Sequence, residues 1–259
     1  MSVWREPKRR KLEGLGLSLI PPYGSKKLVD AEEAVSIPDR GSLFICTTLP
    51  LRVYCPPKEI DMDSLTALFF LVGSLAIVTI AADGKATMKS KLDTMLAKGV
   101  AATVDFNPVA DRLRVMGADG MNLRANVDDG KVTKDGTHKY ADGDMHKGEK
   151  PNIVAGAYTN SVKGTKETAL YDIDWSTGSL LKQAPPNDGI LNTVGPIGMK
   201  LDGAAAFDIA TDAAGKNWAW MMAGKTLYSV DLATGAAKAS GDVAGVTGKV
   251  LDIAVLPSM

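Results

Sequence analysis

Cysteine and histidine are the scarcest chemistry-bearing residues in this chain of 259: two of each occur, Cys46 and Cys55, and His138 and His146. A single cysteine pair with eight residues between its members makes no disulfide framework, although it leaves room for one small loop in an oxidising compartment. Neither histidine has a cysteine or a second histidine at metal-ligand spacing, so no zinc site is expected. Net charge is also lacking. Thirty basic and thirty acidic residues cancel, which removes the whole-chain argument for nucleic acid or an anionic membrane as partner. Nucleophile signatures are missing as well: there is no Gly-x-Ser-x-Gly, no His-Glu-x-x-His and no plausible Cys–His pair. No Asn-x-Ser or Asn-x-Thr glycosylation acceptor occurs, and no cofactor motif is complete.

What the chain has in quantity is glycine, 26 residues, with 13 prolines and 45% hydrophobic residues. That balance describes a folded protein of short strands and many turns. The expected fold class is all-β, with β-propeller-like repeated antiparallel blades in a ring that is incomplete, open or closed, preceded by a largely irregular N-terminal extension. The expected domains are that extension over 1–60 and the propeller-like domain over 61–259. The extension carries Pro7-Lys8-Arg9-Arg10-Lys11, which imitates a nuclear-import address but more commonly is solvated tail, then Pro21-Pro22, Glu32-Glu33 and Pro56-Pro57. Within it, Ser42 to Thr48 is rich in strand formers.

The uncharged run from Leu65 to Ala82, 18 residues, has two readings. As a helix it approaches the roughly 20 residues needed to cross a bilayer, and membrane association would run through it. Against this, Gly73-Ser74 interrupts it and Asp61, Asp63 and Asp83 flank it where an anchor has basic residues. As two strands, Ala67 to Val72 and Leu75 to Ile80, it suits its Phe, Val and Ile content, and this reading is preferred.

An internal repeat supports the strands. Leu170-Tyr171-Asp172-Ile173-Asp174-Trp175-Ser176-Thr177-Gly178 returns as Leu227-Tyr228-Ser229-Val230-Asp231-Leu232-Ala233-Thr234-Gly235: an alternating strand ends on an Asp that bonds the following backbone, and Gly closes the turn. Weaker copies end at Gly84 and Gly130. The four glycines, Gly84, Gly130, Gly178 and Gly235, are spaced 46, 48 and 57 residues apart, the period of propeller blades. A second element, Val104-Asp105-Phe106, Phe207-Asp208-Ile209 and Leu251-Asp252-Ile253, reads as the inner strand of a blade. Its last copy ends the chain, so N-terminal strands, from the Phe44 and Leu68 to Ile80 segments, are expected to complete that blade.

Val104-Asp105-Phe106-Asn107-Pro108-Val109-Ala110-Asp111-Arg112-Leu113-Arg114-Val115, with Asn122-Leu123-Arg124-Ala125-Asn126, Ala157-Tyr158-Thr159-Asn160-Ser161, and Pro185-Pro186-Asn187-Asp188-Gly189 leading into Leu191-Asn192-Thr193-Val194-Gly195, resembles the domain of unknown function 4394 family. The likeness runs from about residue 68 to 256. It implies a propeller-like domain, a hairpin over Leu68 to Leu92, and, from many relatives, an exported protein. It implies no activity. Met121 stands where the family usually has Gln, and the first sixty residues match nothing in it.

The densest polar group, Asn107, Asp111, Arg112, Arg114, Asn122, Arg124 and Asn126, is the candidate ligand-binding site. Guanidiniums beside Asn side chains can grip a carboxylate, phosphate or sugar; equally, they can tie loops and satisfy carbonyls between blades. Asn160, Asn187, Asp188 and Asn192 could offer oxygens to calcium but follow no tight acidic spacing, and ordinary turn chemistry is the commoner use. Trp218 and Trp220 share a strand face, as a sugar platform or as core. Gly224-Lys225-Thr226 ends like a phosphate loop but lies between two strands. His138 and His146 flank Tyr140, Asp142 and Asp144 in an expected surface loop, where a general base is conceivable. Together these observations favour a non-enzymatic binding or structural module with an unknown small molecule or protein as partner. The alternatives are a domain anchored by 65–82 as a helix, and a hydrolase or lyase using the Arg/Asn cluster near a histidine to stabilise an anion.

Overall fold

A computed structural model describes residues 100–246 and 248–256, the segments 86–94 and 96–97, and the strands at 36–37, 41–46, 52–54, 64–71 and 74–81. Among these residues regular structure is β except for one 3-10 turn at Pro186–Asp188. The chain opens with β1 (Ser36–Ile37) and β2 (Gly41–Cys46). Four meandering sheets follow. The first blade is β3 (Arg52–Tyr54), β4 (Ser64–Leu71), β5 (Ser74–Ala81) and β6 (Ala86–Lys91). The second is β7 (Ala102–Asn107), β8 (Arg112–Gly117), β9 (Asn122–Ala125) and β10 (Val132–Lys134). A short β11 (Lys139–Tyr140) then lies parallel on the outer edge of the third blade, β12 (Ile153–Tyr158), β13 (Leu170–Asp174), β14 (Ser179–Gln183) and β15 (Ile190–Pro196). The fourth is β16 (Ala205–Thr211), β17 (Asn217–Ala223), β18 (Thr226–Val230) and β19 (Ala237–Asp242). The final strand, β20 (Asp252–Leu256), pairs antiparallel with β2 to make the fifth, three-stranded blade.

The inner strands pack in succession, β3 on β7, β7 on β12, β12 on β16, β16 on β20 and β20 back on β3. The described residues form a closed five-bladed β-propeller. Closure joins the two ends of the described chain: Phe44 stands opposite Ala254 and Cys46 opposite Asp252. Of the two segments expected to complete the last blade, the Phe44 strand does so. The Leu68 to Ile80 segment supplies the second and third strands of the first blade instead. Three strands from within the first sixty residues are thus members of sheets. Cys55 lies outside the described residues, as does the basic run near Arg9.

The helical, membrane-anchored reading of residues 65–82 is overturned. Leu65 pairs with Ile80, Ala67 with Val78 and Leu71 with Ser74 in an antiparallel hairpin, and no helix among the described residues is long and apolar enough to cross a membrane. An uncharged run with a Gly-Ser break satisfies its backbone by folding on itself, and Ile77 is buried against Val104 and Leu113 of the second blade.

The repeat has a different register from the one its sequence suggests. Leu170 to Gly178 covers the second strand of its blade and the turn into the third, whereas Leu227 to Gly235 covers the third strand of the next and the turn into the fourth. The equivalent of Gly235 in the third blade is Gly189, between β14 and β15, where φ is +67°. Counted on Gly130, Gly189 and Gly235, the spacings become 59 and 46 residues; Gly84 lies outside the described residues. Both kinds of hairpin need an Asp-started turn closed by a positive φ, so the local motif recurs without marking the same place.

The Val-Asp-Phe element has a physical meaning. Asp105 Oδ1 accepts the Phe106 N–H at 2.7 Å and Oδ2 accepts the Tyr158 N–H of the next blade at 2.6 Å. Asp208 repeats this with Ile209 at 2.9 Å and Val255 at 2.6 Å. Each carboxylate therefore clasps two blades through charge-assisted bonds to backbone. Most joints around them are apolar. Ala155, Ile173 and Leu180 meet Phe207, Ile209 and Met221 between the third and fourth blades, and Trp220 and Met222 meet Ile253 and Val255 between the fourth and fifth. The joint between the second and third blades is different.

Candidate functional site

Strand alternation sends Leu113 and Val115 toward the first blade and Arg114 and Met116 toward the third. Arg114 is 1% exposed. Its Nε donates to Tyr158 Oη at 2.6 Å, one Nη to Asn122 Oδ1 at 2.5 Å and Asp135 Oδ2 at 3.0 Å, and the other to Asn187 Oδ1 at 2.7 Å. Arg124, its cross-strand neighbour, grips the same Asp135 in fork fashion at 2.7 and 2.8 Å. That bond raises the Arg124 guanidinium above its ordinary value. Asn122 Nδ2 donates to the carbonyls of Gly136 and Pro186, and Gln183 Nε2 shares the Pro186 carbonyl at 2.7 Å. Burial raises the Tyr158 hydroxyl, against the opposing Arg114 charge. The network spans two blades and the Pro186–Asp188 turn.

Two further ionisable groups lie inside the same joint. Asp172, at the centre of β13, is 0% exposed, and neither carboxyl oxygen has a protein hydrogen-bond partner. Burial pushes it up to about 8, Arg114 pulling the other way and Asp174 adding to the rise. The space beside it exists because residue 156 is glycine: a Cβ there would come within 2.4 Å of Asp172 Oδ1 and 2.5 Å of Met116 Cε. His138 is 5% exposed, with both ring nitrogens unpartnered. Burial, with Arg114 next in weight, pushes it down to about 4, which keeps it neutral. The expectation of a surface-loop histidine is corrected here. The crossing from β10 to β11 is tied down by His138 N–H to Gly120 O and Lys139 N–H to Gly189 O, which draws the ring between the blades.

The seven residues of the predicted cluster divide. Arg114, Asn122 and Arg124 meet in the joint, and Asn107 reaches Tyr158 there with its side chain. Asn107, Asp111, Arg112 and Asn126 lie at hairpin turns: Asn107 Oδ1 accepts the N–H groups of Val109 and Ala110 at 2.9 and 2.8 Å, and Asn126 Oδ1 that of Asp128 at 3.1 Å. Asp111 holds a left-handed φ of 51°, and the exposed Arg112 donates to its carbonyl at 2.8 Å. Asp135, Tyr158, Asp172 and Gln183 escaped sequence reasoning. Asp172 had a usable signal, a carboxylate two residues from Leu170 on one face of a strand otherwise rich in hydrophobes.

The remaining candidates are separated. His146 pairs with Glu149 at 3.2 Å and tilts against Tyr140 with ring centroids 5.4 Å apart, while Tyr140 is packed on Ile153, Leu181 and Leu191 and donates to Asp174. Burial, then that bond, raises the Tyr140 hydroxyl. Asp144 accepts from Thr193 N–H and Oγ1, and Asp142 pairs with Lys147. Asn187 is engaged by Arg114, Asn160 by Asn217 and Asn192 by the Lys182 and Ala184 carbonyls. Among the described residues, no group of three or more His, Cys, Asp or Glu side chains is disposed to hold a metal ion. Trp220 is core, and Trp218 lies under the Lys216 ammonium, 3.7 Å from its ring centroid, with its indole N–H on Asp212. Lys225 and Thr226 both bind Asp242 at a β17–β18 hairpin turn.

A family model matches residues 58–254, which covers this whole arrangement from the first blade's second strand onward. The chain belongs to the family described as Domain of unknown function (DUF4394). Among solved structures, this DUF4394 chain is similar to a protein of unknown function from Bacteroides thetaiotaomicron, at 15% identity and a TM-score of 0.48, over 74% of this chain and 51% of that one. An auxiliary nutrient binding protein from Bacteroides ovatus is similar at 12% identity and a TM-score of 0.42, over 79% and 44%. A luciferin-regenerating enzyme is similar at 12% and 0.43, over 85% and 73%. The chain spans about half the length of the two Bacteroides proteins. No curated protein matches it.

Proposed function

We propose that this DUF4394 chain is a non-enzymatic binding or structural module of the exported propeller type, which meets a small molecule or protein with the hairpin end of its second blade. The supporting observation is the division of the two arginines: Arg114 is held by four donated hydrogen bonds inside the joint, and Arg112 is exposed beside Asp111 and the Asn107 turn. A rigid ring carrying polar groups on its connecting turns is the usual way a scaffold presents a recognition surface. The export part of this reading is supported by the family resemblance, which implies an exported protein in many relatives. The test is a thermal-shift screen of carboxylates and sugars on the native chain and on Arg112→Ala. A ligand that raises the melting temperature of the native chain and not of the variant, and is recovered unchanged, supports the reading. A ligand that is turned over moves the protein to the hydrolase or lyase alternative.

A further inference from the structure

Among the described residues the chain takes six Asp–Gly steps, at 119–120, 129–130, 135–136, 142–143, 188–189 and 202–203. At such a step the main chain can react with its own side chain. Glycine has no Cβ to hinder approach to its nitrogen and turns freely in φ, and the carboxyl carbon of the preceding Asp closes a five-membered ring on that nitrogen. A fold blocks the reaction wherever it holds the glycine N–H or the carboxyl in place. Four of the six steps are held by the N–H: those of Gly120, Gly130, Gly136 and Gly189 donate to the carbonyls of Gly117, Asn126, Asn187 and Pro186. At the fifth, Asp142 is paired with Lys147 at 3.1 Å. That bond keeps its carboxyl below the ordinary value and so in the ionised form, which is not the form that loses water.

Asp202–Gly203 lacks both restraints. Among the described residues, neither the Asp202 carboxyl nor the Gly203 N–H has a hydrogen bond or ion pair. Both residues are exposed, and a Cβ added at Gly203, where φ is +98°, would meet nothing within 4 Å. The step lies in the β15–β16 connection, directly after Leu201, which is 4% exposed in the core shared by the third and fourth blades. We infer that Asp202–Gly203 is a site of spontaneous covalent modification, at which the folded chain converts aspartate to isoaspartate through a cyclic imide. The Gly203 nitrogen attacks Cγ of the protonated Asp202 carboxyl. The N–Cγ bond forms, the Cγ–OH bond breaks, and the hydroxyl leaves with the amide proton as water. Water then opens the imide on either side of the nitrogen. Breaking the N–Cγ bond restores aspartate, while breaking the bond to the original main-chain carbonyl leaves the chain running through Cγ. The product has the same composition, a free α-carboxyl group and one more main-chain atom between Leu201 and β16, which loosens the Leu201 anchor.

The experiment ages the folded full chain at neutral pH and body temperature, then digests it with an endoproteinase that cuts before aspartate and not before isoaspartate. Mass spectrometry should show progressive loss of the cut before residue 202 at unchanged mass, with the cuts before Asp129 and Asp188 retained. Methyl transfer by an isoaspartyl methyltransferase should label the peptide containing residue 202. The label should be missing there in aged Asp202→Glu, an exposed change whose longer side chain needs a six-membered imide. A chain aged in urea should isomerise at Asp129 and Asp188 as well, since the fold no longer holds their glycines. Isoaspartate that forms at residue 202 no faster than at Asp129 or Asp188 in the folded chain, or only in urea, overturns the site. The aged native chain should also melt below the fresh one while aged Asp202→Glu keeps its melting temperature; equal falls in both would overturn the link between this step and the Leu201 anchor.

Discussion

Arg114 carries a positive charge into an interior where only Asp135 answers it directly, and Asp135 is shared with Arg124. Truncation would strip partners from Tyr158, Asn122 and Asn187 at once. Breaking a buried pair from one side costs about 3–5 kcal/mol, so Arg114→Ala should lower the unfolding free energy by that order. Arg112→Ala, two residues away and exposed, should stay within about 0.5 kcal/mol; equal losses in urea titrations would refute the division of the two arginines. Asp172 and His138 make opposing contributions to the pH dependence. The folded pKa of Asp172, about 8, is above the unfolded value of about 3.9, so its stabilising protonated form is lost as pH rises toward 8. The folded pKa of His138, about 4, is below about 6.5, so its contribution is lost as pH falls from 6.5 toward 4. The two oppose below about 6.5 and Asp172 acts alone above it. The Asp172 term lowers stability between pH 6.5 and 8 by at most about 1.4 kcal/mol per pH unit, and Asp172→Asn should flatten that limb in melting curves taken across the range. Arg114, Met116, Gly156 and Asp174 are the groups around that carboxyl.

Among the elements, the inner strand is the best test of what the sequence could convey. Val104-Asp105-Phe106 and Phe207-Asp208-Ile209 were legible as inner strands because alternation and a repeated Asp are local facts. Their purpose was not, because the Asp105 partner is Tyr158 N–H, 53 residues away. The polar cluster fared likewise. Its residues could be read from β7 to the turn after β9 alone, but Asp135, Asn187 and Asp172 come from other elements, and only the blade-to-blade contact decides which arginine is sealed. The Asp-to-Gly turn misled in register for the same reason: turn chemistry is set within a few residues and is indifferent to whether the hairpin is second-to-third or third-to-fourth in a blade. Asp105→Ala would leave the Tyr158 N–H without its clasp at a cost of about 1–3 kcal/mol. Amide exchange at Tyr158 should accelerate in that variant while Val255, held by Asp208, keeps its protection. Equal acceleration at both sites would mean that the ring opens as a whole and that the clasps are not independent.

Closure governs the whole molecule. β20 is the last described strand and has only β2 as a ladder partner, so the fifth blade exists by virtue of residues more than 200 positions apart in sequence. Without β2, β20 would present an unpaired edge beside a joint containing Trp220, Ile253 and Val255, and an exposed hydrophobic edge strand is a template for association with another chain. A chain lacking residues 1–46 should therefore lose a single cooperative unfolding transition and self-associate on a sizing column with light scattering. A synthetic peptide of residues 36–46, added in excess, should restore the monomer by supplying β1 and β2 in trans, since the register Ser42 to Leu256 through Cys46 to Asp252 is fixed by the alternation of one short strand. A truncated chain that stays monomeric and melts cooperatively without the peptide would show that packing between β16, β20 and β3 closes the ring unaided, and that the N-terminal strands only cover its edge.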